Sequence, residues 1–81
     1  MDSYLIPSLR LIVESQVRAT SLLQRKLNIT YQHAGKIMDQ LEKYKVVGAY
    51  NGRLARKVLV KNKLISEMII IGICIREKIR N

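Results

Sequence analysis

The sequence predicts a mainly α-helical domain with a small β-hairpin and an apolar C-terminal segment. Three observations carry this prediction. Apolar residues recur at helical spacing in three stretches between residues 5 and 44. An Asn-Gly pair at residues 51–52 then separates two β-favouring stretches, which is the pattern of a hairpin turn. Residues 68–75 finally form an almost continuous apolar run.

Composition limits the chain to one small domain. With 81 residues, a single core is only marginally large enough to fold alone, which excludes large multi-domain enzymes. The hydrophobic content of 48 % is too high for a disordered basic tail. One Cys excludes an internal disulfide and a zinc finger, so we expect a reducing, cytoplasmic location.

Positive charge is concentrated in the middle of the chain. Residues 18–63 hold eleven basic residues against Asp39 and Glu42, which is the whole net charge of +9. Such a block favours a polyanionic ligand, with nucleic acid ahead of a membrane surface. A solubilising surface without a ligand is the alternative. We expect no transmembrane segment, because the apolar run of residues 68–75 is far shorter than the about 20 residues of a span.

The helical stretches differ in length and in their boundary signals. Residues 5–15 predict a first helix with Pro7 in its first turn. Ser21 followed by Gln24 has the form of a capping box, so a second helix of about seven residues is expected to begin there. Residues 28–30 form a turn, and a third helix runs over about 31–44. Its buried stripe is predicted to be Ala34, Ile37, Met38 and Leu41.

The order of these elements indicates how the chain meets DNA. Helix, short helix, three-residue turn, helix and hairpin is the order of a winged helix-turn-helix. In that fold the third helix enters the major groove and the hairpin contacts the backbone beside it. The basic block covers the same elements, so the ligand is expected to be double-stranded DNA.

Residues 19–27, Met38–Glu42 and 46–48 closely resemble the C-terminal γ domain of the FtsK/SpoIIIE DNA translocases, without gaps over about residues 2–60. The resemblance implies a winged-helix domain that reads short, G-rich, oriented DNA sequences, steers a translocase and contacts a site-specific recombinase. The chain differs from the family pattern at Thr30, at residues 32–36, which replace Asn-Arg-Ala-Ala-Arg, and at residues 55–57 of the wing. It also lacks a motor domain. It is therefore either an excised domain or an orphan DNA-binding regulator.

Polar residues of the second and third helices and of the wing are the candidate DNA contacts. The start of the third helix is the stretch that meets base edges, where Gln pairs with adenine and Lys or protonated His donates to guanine. Base contacts are predicted for Gln32, His33 and Lys36. Backbone contacts are predicted for Ser21, Arg25, Lys26, Tyr31, Lys43, Arg53, Arg56 and Lys57. The alternative is that these residues form a solvated polar surface that does not contact DNA, with Ser21 acting only as a helix cap.

The segment after residue 60 is expected to form a separate extension, residues 61–81, beyond a DNA-binding domain of residues 1–60. It is apolar nearly all round, which favours a helix, although its many Ile residues also permit a buried strand. A helix of this kind is expected to pack on the first helix and on its twin in a two-fold dimer. The predicted dimer interface is Leu64, Met68, Ile69, Gly72 and Ile75.

These patterns predict a sequence-specific double-stranded DNA-binding protein, a small homodimeric transcriptional regulator. The alternative is a γ-like module that orients a translocase system and docks on a recombinase or other protein. Membrane-surface binding through the C-terminal segment is a third reading. We expect no enzyme, cofactor or metal, because His33 has no Cys, second His or carboxylate at ligand spacing. Surface ion pairing explains Asp39 and Glu42 better than acid–base chemistry.

Overall fold

The computed structural model describes residues 2–16, 20–49 and 57–80. They contain four α-helices: α1 (Leu5–Ser15), α2 (Thr20–Leu27), α3 (Tyr31–Lys43) and α4 (Lys63–Arg80). The three predicted helices are confirmed. The C-terminal segment, for which a strand was the alternative, is a helix of 18 residues.

The ends of α1 are held by local hydrogen bonds. The Asp2 carbonyl and side chain accept from the amides of Leu5 and Tyr4 at 3.0 and 2.8 Å. At the other end Gln16 takes a left-handed conformation with φ 58°, and its amide donates to Ile12. The Gln16 side-chain amide also donates to the Val60 carbonyl at 3.0 Å, which ties the end of α1 to the chain that leads into α4.

The second helix begins one residue earlier than the capping pattern predicts. Its first residue is Thr20, so Ser21 lies in the first turn and not at the N-cap position that a capping box would give it. The buried residues of α2 are Leu22 and Leu23, which pack against α3. This packing requires helical geometry through Ser21, whose own side chain is exposed.

A hydrogen-bonded cap and a buried stripe define α3. The Thr30 hydroxyl accepts from the His33 amide at 3.1 Å, while Thr30 itself is extended, which is the usual arrangement of an N-cap. The buried residues are those predicted, Ala34, Ile37, Met38 and Leu41. Beyond the helix, Lys45 has a φ of 65°, which turns the chain away from the helix axis.

The predicted β-hairpin is not seen. Within the described residues there is no strand, only an isolated antiparallel bridge between Val47 and Val58. Two hydrogen bonds support it, from Gly48 to the Lys57 carbonyl at 2.7 Å and from Leu59 to the Val46 carbonyl at 2.8 Å. The four valines at 46, 47, 58 and 60 are all buried, so core packing rather than an extended ladder holds these segments. The predicted Asn-Gly turn at 51–52 lies outside the described residues.

The helices share one core, and their packing separates two surfaces. α2 packs against α3, α3 against α1, and α1 against α4. Ile70 and Ile73 are the apolar α4 residues buried in this core. Arg10 of α1 also pairs with Glu67 of α4 at 3.3 Å. The exposed faces of α2 and α3 and the outer face of α4 are therefore different surfaces of the molecule.

Candidate nucleic-acid interface

Five of the eleven residues predicted to contact DNA lie on α3, more than on any other element. Gln32, Lys36 and Lys43 are exposed, and the Tyr31 ring is 65 % exposed at the start of the helix. Lys36 and Lys43 are seven residues apart, so they lie about two turns apart on the same side of the helix. The face opposite the buried stripe is therefore polar, and it carries the exposed Asp39 carboxylate besides the two lysines.

His33 is held by the start of the chain instead of standing alone on this face. Its Nε2 atom lies 2.7 Å from Oδ2 of Asp2, and the Tyr4 ring contacts the imidazole edge to face, with centroids 5.4 Å apart. The His33 side chain is 34 % exposed. The sequence argument missed Asp2, because it searched for a carboxylate at short spacing and this one is 31 residues away.

The environment of Asp2 keeps its carboxylate ionised. Burial by itself would raise the pKa of Asp2, but the hydrogen bond from the Tyr4 amide and the hydrogen bond and charge of His33 outweigh it. The pKa of Asp2 is consequently lower than its ordinary value of 3.8. One anionic side chain thus stands next to the first turn of α3, where anions are favoured by the helix dipole.

Basic residues of α2 extend the positive surface. Arg25 and Lys26 are exposed in its last turn, and Ser21 is exposed in its first. Because α2 packs directly on α3, these side chains belong to the same region of the molecule as Lys36. Lys57, next to the bridge, is also exposed. The other two predicted wing contacts, Arg53 and Arg56, lie outside the described residues.

No neighbouring residue in the described structure accounts for a glycine at position 35 of α3. A Cβ atom added to Gly35 meets nothing within 4 Å, so no neighbouring helix requires a glycine there. A glycine inside a helix costs about 1 kcal/mol relative to alanine. Three explanations fit a glycine inside this helix: close approach of DNA, close approach of a neighbouring helix, and drift without a structural cause. The open space around an added Cβ removes the second.

The described part of the chain offers little for other chemistry. It contains no group of three His, Cys, Asp or Glu side chains that could hold a metal ion. None of its helices combines the length and the apolar character needed to cross a membrane. The distinctive surface is the basic one formed by α2 and α3.

Comparison with known proteins decides the family. The family model described as the Ftsk gamma domain matches residues 1–61, which include α1, α2 and α3. The chain belongs to the FtsK gamma-domain family. Within this gamma domain the matched region ends two residues before α4 begins at Lys63.

Relatives of this gamma domain are large proteins named DNA translocase FtsK. The one from Chlorobaculum tepidum is 45 % identical over 62 residues, covering 76 % of this chain and 8 % of the relative. The one from Corynebacterium efficiens is 49 % identical over 57 residues, 70 % of this chain and 6 % of the relative. The one from Mycobacterium leprae is 46 % identical over 61 residues, which cover 75 % of this chain and 7 % of the relative. The chain thus spans less than a tenth of these relatives. No solved structure matches it.

Proposed function

We propose that this chain is a double-stranded DNA-binding module of the FtsK gamma type. The observation that carries the proposal is the set of exposed basic side chains on α2 and α3, which fall inside the region that the family model matches. Arg25 and Lys26 are exposed on α2, and Lys36 and Lys43 are exposed on α3, which packs against α2. A surface of this sign and shape neutralises phosphates along a duplex and places one helix in the major groove.

Base reading belongs to the first turn and a half of α3. Gln32 presents an amide that pairs with the adenine edge, and Lys36 donates to the guanine edge. His33 contributes through an imidazole whose Nε2 atom faces Asp2, which leaves Nδ1 as the ring nitrogen to meet a base. Each such contact contributes about 1–3 kcal/mol of discrimination between bases. Arg25, Lys26 and Lys57 then act on phosphates and supply affinity without sequence information.

The comparisons favour the orienting module over the transcriptional regulator. The relatives compared are named DNA translocases, and the match covers the DNA-reading helices. Because the chain spans only a small part of those proteins, we propose for it the recognition step alone: binding an oriented DNA sequence, near the nucleoid, for a translocase system. The same proposal includes a protein-binding function, which is docking on a recombinase.

The homodimeric regulator is the second candidate. The observation in its favour is the apolar outer face of α4, which lies beyond the family match and gives a route to a two-fold protein. A dimer would place two recognition helices on half-sites about 10 bp apart or a multiple of that. A single oriented, G-rich site would instead identify the gamma-type module.

Selection from a random duplex library at about 150 mM salt tests the proposal, followed by a salt titration on the selected sequence. We expect an enriched motif and a loss of binding in Lys36→Glu. The matched control is Lys63→Glu, which makes the same charge reversal at an exposed position of α4. Absence of any enriched motif, or equal losses in the two variants, would contradict sequence reading by α3. Recombinase binding that survives Lys36→Glu would show that docking uses another surface.

A further inference from the structure

The outer face of α4 carries a row of exposed apolar side chains. We name this row the α4 stripe; its members and their exposed fractions are Leu64 69 %, Ile65 48 %, Met68 63 %, Ile71 58 %, Ile75 53 % and Ile79 77 %. One exposed Leu or Ile is ordinary on a protein surface, but a contiguous row along a helix marks an interaction site. The stripe extends over four turns of the helix.

The opposite side of α4 is already satisfied by the fold. Ser66, Ile70 and Ile73 are buried there, and the helix packs on α1. At 100° per residue the centre of the stripe lies about 175° from the centre of these buried residues. The intramolecular core therefore leaves the stripe uncovered, and the partner that covers it comes from outside the described chain.

We propose that the stripe pairs with the same stripe of a second copy of this chain, with the two α4 helices antiparallel. The stripe suits an isologous pair, because one helix face supplies both halves of the interface. Most of its members follow the spacing of four, three and four residues that packs two helices side by side. The inference is independent of the DNA-binding proposal.

The distribution of charge favours the antiparallel direction. The first half of α4 has Lys63 and Glu67, which cancel, whereas residues 72–80 hold three basic residues and Glu77, a net charge of +2. A parallel pair would place these two basic halves side by side, while an antiparallel pair places each against a neutral half. Antiparallel helix dipoles also attract. Glu67 and Lys78 lie on the same flank of the stripe. The Glu67 carboxylate, which is 3.3 Å from Arg10 of its own chain, then also faces Lys78 of the other copy.

The backbone near the centre of α4 permits close approach. Gly72 is exposed at the edge of the stripe, and a Cβ added to it meets nothing within 4 Å. The pairing of Glu67 with Lys78 places the two-fold axis close to Gly72. A residue without a side chain at that level lets the two helix backbones approach, and the monomer gives no other use for it.

The area available is sufficient for a specific interface. Burial of each stripe residue removes roughly 80 Å² of apolar surface, so the six residues of both copies remove about 1,000 Å², near the lower limit of specific protein interfaces. None of the stripe residues is among the predicted DNA contacts, which lie on α2, on α3 and in the wing.

Cysteine cross-linking of the full chain tests both the partner and the direction. The background is Cys74→Ser, since Cys74 is the one cysteine of the sequence and is exposed. We expect Gly72→Cys to form a disulfide-linked dimer, because the two copies of residue 72 meet near the axis. Leu64→Cys serves as the control for direction: in the antiparallel pair its two copies lie on the order of 25 Å apart and do not link.

Sedimentation equilibrium between about 1 and 100 µM measures the association itself. We expect a dimer for the natural sequence and a dissociation constant raised on the order of 100-fold or more by Ile71→Glu. Leu59→Glu is the matched control, since Leu59 is 46 % exposed but lies outside α4, and it is expected to leave association unchanged. Circular dichroism verifies that both variants fold. A monomer throughout the range, efficient linkage of Leu64→Cys, or a monomer that binds phosphatidylglycerol vesicles through α4 would each overturn the proposal.

Discussion

His33 in the first turn of α3 is paired with Asp2, 31 residues earlier, through a contact of 2.7 Å between Nε2 and Oδ2. The same Asp2 carboxylate accepts from the Tyr4 amide at 2.8 Å, at the start of α1. One side chain therefore organises the beginning of α1 and orients an imidazole at the beginning of α3. The position of the recognition helix relative to α1 depends on this contact as well as on the core.

Removal of the Asp2 charge should weaken the fold in a pH-dependent manner. We expect Asp2→Asn to lower the free energy of unfolding at pH 7 by up to about 1 kcal/mol, because it weakens a partly exposed pair and a helix-start hydrogen bond. The pKa of Asp2 is lower in the folded chain than its ordinary 3.8. Its stabilisation is therefore present above pH 3.8 and is lost as the pH falls through the folded value.

Urea denaturation at several pH values checks this prediction. The two proteins should differ at pH 7 and converge in acid, below the folded pKa of Asp2. Glu14→Gln is the matched control, because it removes an exposed carboxylate from α1 and should change little. A difference between Asp2→Asn and the natural sequence that persists unchanged into strong acid would show that charge is not the cause.

Replacement of Gly35 should stabilise the protein and weaken DNA binding. An added Cβ meets nothing within 4 Å, so Gly35→Ala should raise the free energy of unfolding by about 0.5–1 kcal/mol through helix propensity. If α3 lies deep in a groove, the added methyl group occupies space that the backbone needs beside the DNA. Gly72→Ala is the control, with the same open surroundings on α4; measured at a protein concentration too low for dimers, it is expected to leave DNA affinity unchanged. Thermal unfolding and DNA titration give the two readouts, and equal DNA affinity in both variants would refute close approach at Gly35.

The basic residues of α2 should contribute affinity without specificity. We expect Arg25→Ala and Lys26→Ala each to weaken binding to all duplex sequences and to lower the slope of log affinity against log salt by about 1. Lys63→Ala, an exposed cation at the start of α4, should leave that slope unchanged. Titration of one duplex at four salt concentrations measures the slopes. A selective loss on one sequence would indicate base reading by α2 instead.

Ser8 carries a polar atom that the fold does not satisfy. Its hydroxyl is buried in α1 and has no hydrogen-bond partner among the described residues. We expect Ser8→Ala to raise the free energy of unfolding by about 1 kcal/mol, because it removes a buried, unsatisfied hydroxyl and improves helix propensity. Ser66 is equally buried but donates to the Lys63 carbonyl at 2.6 Å, so Ser66→Ala should give no such gain. Chemical denaturation of the pair separates the two cases.

Local patterns by themselves determined the helices and the family. The spacing of Ala34, Ile37, Met38 and Leu41 was sufficient to predict the buried side of α3, because a helical period is visible within one segment. Residues 19–27 and Met38–Glu42 were sufficient for the resemblance that the family match confirms. The predicted start of α2 was off by one residue, because a serine at the N-cap and a serine in the first turn give the same local sequence pattern.

Only the tertiary structure decided which contacts these segments make. The apolar residues of α4 lie nearly all round the helix, so their spacing did not identify the side that packs on α1. The tertiary structure decided it: Ile70 and Ile73 are buried, whereas Ile71 and Ile75 are exposed. The valine-rich segments predicted a hairpin. In the described residues they are joined by a single bridge between Val47 and Val58, both of which are buried in the core. The pairing of Asp2 with His33 joins residues distant in sequence, and no local pattern encodes a contact that forms only when two helices have packed.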